Sequence, residues 1–204
     1  MALSWTASAG ASSYNVKRAV TSGGPYTTIG TSAGISYTDT AVTGGTTYYY
    51  VVSATVTTVE SPDSAQVGAT VPTPYATWAS APAQGLTVGV NDGPLYDPEH
   101  DGICNLLEFV LAGAPMTSSP SVLPKLNRKV SNWVFEYDRS TASVSSTTQV
   151  VEYGSNLVGW TSIPVTATSG GAVTITSGGL TDHVSVVVPD GGGKLFVRLR
   201  VTQQ

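Results

Sequence analysis

Gly45-Thr46-Thr47-Tyr48-Tyr49-Tyr50-Val51-Val52-Ser53-Ala54 is the stretch that decides the fold of this chain. Tyr48, Tyr50, Val52 and Ala54 fall on one face at period two, and aromatic and β-branched residues dominate the run, so it predicts a strand with one face against a core. Similar short runs flank it: Leu3-Ser4-Trp5, Tyr14-Asn15-Val16-Lys17-Arg18 and Pro25-Tyr26-Thr27-Thr28-Ile29. Gly-rich turns at Ser22-Gly23-Gly24-Pro25 and Thr43-Gly44-Gly45 separate them. Residues 1–72 therefore predict a β domain with no helical pattern.

The β pattern returns after residue 119. Trp133, Phe135 and Tyr137 alternate with Val134, Glu136 and Asp138, and Leu195, Val197, Leu199 and Val201 share a face near the end. A second β-sandwich over 119–204 follows from these runs. Between the two regions, residues 73–118 change period. Pro74, Tyr75 and Trp78 suit a short helix, and Ile103, Leu106, Leu107, Val110 and Leu111 follow helical spacing until Gly113-Ala114-Pro115 stops it. The expected class is mainly β, with two sandwiches joined by a short helical insert.

That insert holds the one stretch with sharp chemistry, Asp97-Pro98-Glu99-His100-Asp101-Gly102-Ile103-Cys104-Asn105-Leu106-Leu107-Glu108. It fits the calcium-loop pattern D-x-[DN]-x-[DN]-G-x5-E except at its third position, where Glu99 stands. Four acids gather within twelve residues of a chain that is only 11% charged, and a hard, oxygen-seeking cation explains that concentration. Expected ligands are the side chains of Asp97, Glu99, Asp101, Asn105 and Glu108 and the backbone carbonyl of Ile103, with Ca2+ as the ion. Gly102 permits the sharp turn at the sixth position. Magnesium would demand a stricter octahedron. His100 and Cys104 occupy non-ligand positions, and no second His or Cys pair joins them, so zinc is not expected.

The N-terminal seventy residues resemble a fibronectin type III domain. The likeness rests on Leu3-Ser4-Trp5, Tyr14-x-Val16-x-Arg18, Tyr37-x-Asp39, and Gly45 through Ala54 followed by Glu60-Ser61. It implies that Tyr48 is the tyrosine-corner residue, whose hydroxyl bonds nearby backbone. The family's first strand should precede Leu3 and is missing, which would leave a sheet edge open to self-association. Residues 75–204 resemble C-terminal regions of secreted multimodular bacterial proteins, in which an EF-hand or dockerin-like calcium loop precedes a terminal β-sandwich. Asp97-Pro98, Asp101-Gly102, Asn105 through Phe109 and Gly113-Ala114-Pro115 carry that resemblance; Glu99 and His100 depart from it. It implies an extracellular setting within a larger protein, serving spacing, attachment, or carbohydrate or surface binding. Met1 runs straight into the first strand with no leader-like segment, so this setting comes from the resemblance alone.

Other signals are weaker. Gly30-Thr31-Ser32-Ala33-Gly34 matches the serine-hydrolase pattern G-x-S-x-G but falls between short strands, and no catalytic residue is assigned. The alternative function is a calcium-dependent hydrolase of small esters or lactones, with the ion polarising a carbonyl and His100 as base. Trp133, Tyr137, Tyr153 and Trp160 could form a sugar platform, but their spacing suits an inner face, while Arg198 and Arg200 suit a solvated outer one. A net charge of −4 without a basic stripe excludes nucleic acid as a partner. No apolar run is long enough for a membrane span, and the single cysteine forbids an internal disulfide.

Overall fold

The computed structural model describes residues 1–204. The chain is mainly β and divides into two compact units, Met1–Thr73 and Pro74–Gln204. In the first, strands β1 (Ala2–Ser4) and β4 (Ser36–Thr38) form a two-stranded antiparallel sheet. Strands β2 (Ser13–Ala19), β3 (Thr27–Ser32), β5 (Thr47–Val56), β6 (Val59–Glu60) and β7 (Val67–Thr70) form the other sheet. Its order is β3-β2-β5, and the far edge of β5 pairs with β7 near its start and with β6 near its end. Tyr14, Val16, Tyr48 and Tyr50 are buried in this unit. Thr43 N–H donates to the Tyr48 hydroxyl at 3.1 Å, five residues upstream, as a tyrosine corner requires.

The polar centre of this unit is Asp39, which is 3% exposed. Its carboxylate accepts from Arg18 Nη1 at 2.7 Å, Tyr50 Oη at 3.0 Å and Ala41 N at 3.0 Å. Burial opposes its charge, but these donors outweigh it and hold the carboxyl below the usual range.

The second unit opens with helix α1 (Pro74–Ala79), followed by turns up to helix α2 (Asn105–Leu111). Strands β8 (Lys125–Arg128), β9 (Asn132–Ser140), β12 (Val173–Ser177) and β13 (Thr181–Pro189) make a four-stranded antiparallel sheet in the order β12-β13-β9-β8. Strands β10 (Thr147–Gly154), β11 (Thr161–Val165) and β14 (Phe196–Gln203) make a three-stranded sheet in the order β11-β10-β14. Val184, Val186, Val188, Phe135 and Tyr137 from the first sheet and Val151 and Val165 from the second belong to one buried cluster.

The helical segment is not a separate joint. Tyr75, Ala79, Leu106, Phe109, Val110 and Leu111 are part of that same cluster, so both helices close the core of the second sandwich. Nor does a helix enter the acidic loop from its N-terminal side. Pro82, Gly85 (φ +68°) and Gly89 (φ +76°) break the chain into turns before the loop begins.

Asp39→Asn is expected to cost about 2 kcal/mol, because Arg18 and Tyr50 lose a charged acceptor in a buried place. The lowered Asp39 carboxyl contributes stability above its unfolded pKa that is lost as pH falls through its folded one. Acid melts of the N-terminal unit should therefore be less steep below pH ~4 in the variant than in the wild type.

Candidate metal centre

The acidic loop is folded back on itself by its own first carboxylate. Asp97 accepts from the backbone N–H of Asp101 at 3.2 Å and of Gly102 at 2.9 Å. Gly102 has φ +89° and His100 φ +61°, so the reversal uses left-handed backbone at two positions. Glycine adopts that conformation freely, whereas at His100 it carries strain.

Asp101 ties the loop to chain eighteen residues further on. Its Oδ2 accepts from Ser119 N at 2.8 Å and its Oδ1 from Ile103 N at 2.9 Å. The Ser119 bond above all, with those from Ile103 and Ser118, holds its carboxyl below the usual range against the opposing effect of burial. One carboxylate oxygen from each of Asp97, Glu99 and Asp101 can be chosen so that all lie within 4.8 Å of one another.

The C-terminal half of the loop is the first turn of α2. Asn105 and Glu108 are three residues apart and so share a helix face, while Leu106, Phe109 and Val110 turn to the core. Asn105 and Glu108 are both 0% exposed. Asn105 Nδ2 donates to the carbonyls of Asn91 (2.8 Å) and Gly93 (3.0 Å), which fixes the amide and leaves Oδ1 buried without a partner. Both carboxylate oxygens of Glu108, and both of Glu99, are likewise buried and unpartnered. Gly113 lies against Glu108; a Cβ there would approach its Cβ, Cγ and Oε1 at 3.3 Å.

The electrostatics match that geometry. Burial first, then the charge of Glu99 and a hydrogen bond that the protonated acid makes to it, then the charges of Asp101 and Asp97, push the Glu108 carboxyl up to about 8. Glu99 belongs to the triad of converging carboxylates, and Glu108 lies near enough to feel the charges of all three, with no nitrogen or sulfur donor among them. That chemistry fits a hard divalent cation and does not fit zinc.

Of the residues picked out by spacing, Asp97, Glu99 and Asp101 converge, and Asn105 and Glu108 present buried oxygens from α2. Ile103 is buried between them in sequence. The spacing pattern missed the Ser119 N–H and the Asn91 and Gly93 carbonyls, which brace the centre from outside the motif.

The remaining sequence signals have plainer places. Ser32 ends β3, where its hydroxyl donates to Ser36 O and accepts from Gly34 N in a strand-turn-strand setting. A nucleophile elbow needs strand-turn-helix. Tyr137 is 4% exposed, and Trp133 and Tyr153 pack on the core. The Arg198 guanidinium lies 4.1 Å from the centre of the Trp160 ring. Arg198 and Arg200 are not merely solvated: they clasp buried Glu152 at 2.7 and 2.8 Å.

No protein-family model and no curated protein matches the chain. A solved structure does, described as a Fn3-like protein from Clostridium thermocellum. It is 54% identical over 35% of this chain and 75% of that one, with a TM-score of 0.34. The matched share is about the length of the N-terminal unit, which has two antiparallel sheets and the Tyr48 corner bond. The N-terminal unit is Fn3-like. The Fn3-like unit contributes no residue to the loop described above, whose ligand candidates all lie beyond Pro74. No helix is long and apolar enough to cross a membrane.

A raised carboxyl favours folding only while it holds its proton. In chelator, the stability tied to Glu108 is present at low pH and is lost as pH rises from the ordinary carboxyl range through about 8. The C-terminal unit should therefore melt at progressively lower temperature between pH 5 and 9 in chelator, and Glu108→Gln should flatten that slope.

Proposed function

We propose that residues 97–108 bind one calcium ion, and that the chain is a calcium-stabilised modular region of a larger secreted protein, serving spacing, attachment, or carbohydrate or surface binding. Asp97, Glu99, Asp101 and Glu108 would supply carboxylate oxygens, Asn105 its Oδ1, and Ile103 its backbone carbonyl. The observation that carries this reading is the set of five buried, unpartnered oxygens on Glu99, Asn105 and Glu108. Ionising a carboxylate that is buried without a partner costs several kcal/mol, which is why Glu108 keeps its proton up to about 8, and a divalent ion would offset that cost.

The donor set favours calcium over magnesium. Glu99 and Glu108 are long side chains from opposite ends of the loop, and calcium accepts six to eight oxygens in flexible geometry. The ion's role in this reading is structural. It neutralises the acids and fastens the loop to α2, whose other face lies in the core. The Fn3-like module and the composition without a basic stripe suit a spacing or attachment role.

Calorimetry should give one calcium site per chain. Calcium at about a hundred times its Kd should stabilise the C-terminal unit by about 2.7 kcal/mol, a rise of roughly 5–10 °C in Tm. Magnesium at the same concentration should do much less. Glu108→Gln should abolish the calcium effect yet raise Tm in chelator at pH 8. No heat of binding and no Tm change with calcium in the wild type would contradict the proposal.

A further inference from the structure

The second unit carries a cleft of about 330 Å3 that the metal loop does not use. It opens where β8 leaves the edge of β9. The ladder between these strands ends at the pair Lys125–Glu136, so β9 runs on past its neighbour towards Asp138. The 3-10 turn Pro120–Val122 lies over the gap and Leu111, the last residue of α2, forms part of the wall.

The rim carries Lys125, Glu136, Asp138 and His183. Asp138 and His183 face each other across the β9–β13 ladder, with Asp138 Oδ1 2.8 Å from His183 Nδ1. Their side chains are 67% and 49% exposed, so the other carboxylate oxygen and Nε2 remain open to a ligand. Glu136 lies two residues before Asp138 on the same sheet face and accepts from Asn127 Nδ2 at 2.7 Å, and Lys125 stands opposite it. The apolar part of the lining comes from Leu111, Val122, Leu123 and the Tyr137 ring.

Charge narrows what could bind. An anion would meet two carboxylates, and Glu136, Asp138 and His183 are not among the groups that converge closely enough to hold a metal ion. An apolar molecule would strip water from all four polar groups without replacing its hydrogen bonds. A neutral polyol satisfies acceptors and donors together, and can lay C–H groups on Val122 and Leu123. The volume lies at the low end of the range of ligand pockets, about 300–1,000 Å3, which suits a small molecule or a chain end.

Both walls lead back to the acidic loop. Leu111 ends the helix that carries Glu108, and the Pro120–Val122 turn begins one residue after Ser119, whose N–H is held by Asp101. We infer that this cleft is a second ligand site, taking a mono- or disaccharide on Asp138, His183, Glu136 and Lys125, with walls set by the metal loop. The coupling rests on the calcium reading; the saccharide site itself does not. Whatever calcium does for the saccharide, the saccharide must do equally for calcium.

The test is saturation-transfer NMR and calorimetry on the whole chain, with the methyl glycosides of glucose, galactose, mannose, xylose and N-acetylglucosamine, and with cellobiose and xylobiose. At least one should bind in saturating calcium, and Asp138→Ala and His183→Ala should each weaken it at least tenfold while leaving Tm unchanged. Both residues are exposed, so folding should survive. Chelation should weaken binding at least fivefold, within the usual range of coupling between sites. The saccharide site is overturned if none of the seven sugars binds the wild type, or if both variants keep wild-type affinity. A calcium titration of the same samples separates the two ideas. Saccharide binding that persists where calcium does not bind supports the cleft and overturns the calcium reading. Calcium binding that leaves saccharide affinity unchanged overturns the coupling.

Discussion

The carboxylate of Glu108 cannot leave the interior, and the second unit is organised around that fact. Helix α2 must turn Leu106, Phe109 and Val110 into the core, and at 3.6 residues per turn the face carrying Asn105 and Glu108 then falls beneath the loop. Gly113 closes over the Glu108 side chain from the far end of the helix. Moving the carboxylate out to water would mean undoing the helix packing. The energetic remedy has to come to the charge, and the loop brings three more oxygen-bearing acids rather than a base.

The contrast with the other buried charges sharpens this. Asp39 has Arg18, Tyr50 and a backbone N–H. Arg139 has Asp182 and two carbonyls. Glu152 is held between Arg198 and Arg200. Each follows the ordinary rule that a buried charge is paired and hydrogen-bonded. Glu108 alone among the buried charged residues has no donor and no opposite charge to meet it, only the acid Glu99 in the same state. A chain that satisfies its interior charges so consistently leaves these oxygens open in one place only, in the loop where Asp97, Glu99 and Asp101 converge.

Much of the fold was legible because its signals are local. The Tyr48-x-Tyr50 alternation marked the central strand of the Fn3-like unit, and Tyr48 takes up the corner bond to Thr43. The spacing from Asp97 to Glu108 marked the loop and the start of α2 to within a turn. What the sequence hid is non-local. Nothing in the residues around Asp101 announces a bond to Ser119, and nothing around Asn105 announces the carbonyls of Asn91 and Gly93. The helical segment looked like a joint between sandwiches because its apolar stripe does not say which core it will enter. Tyr75 and Phe109 answer that only when they are seen packed with Phe135, Val184 and Val186. Arg198 and Arg200 alternate like a solvated face, yet Glu152 on the neighbouring strand turns them into a clasp, a cross-strand effect invisible along one strand.

The most direct test is a crystal structure of the protein grown in calcium. One ion is expected within about 2.3–2.6 Å of oxygens from Asp97, Glu99, Asp101, Ile103 and Glu108, with Asn105 bound directly or through a water. A calcium-soaked crystal with no ion there, and with Glu108 hydrogen-bonded as a neutral acid to Glu99, would contradict it.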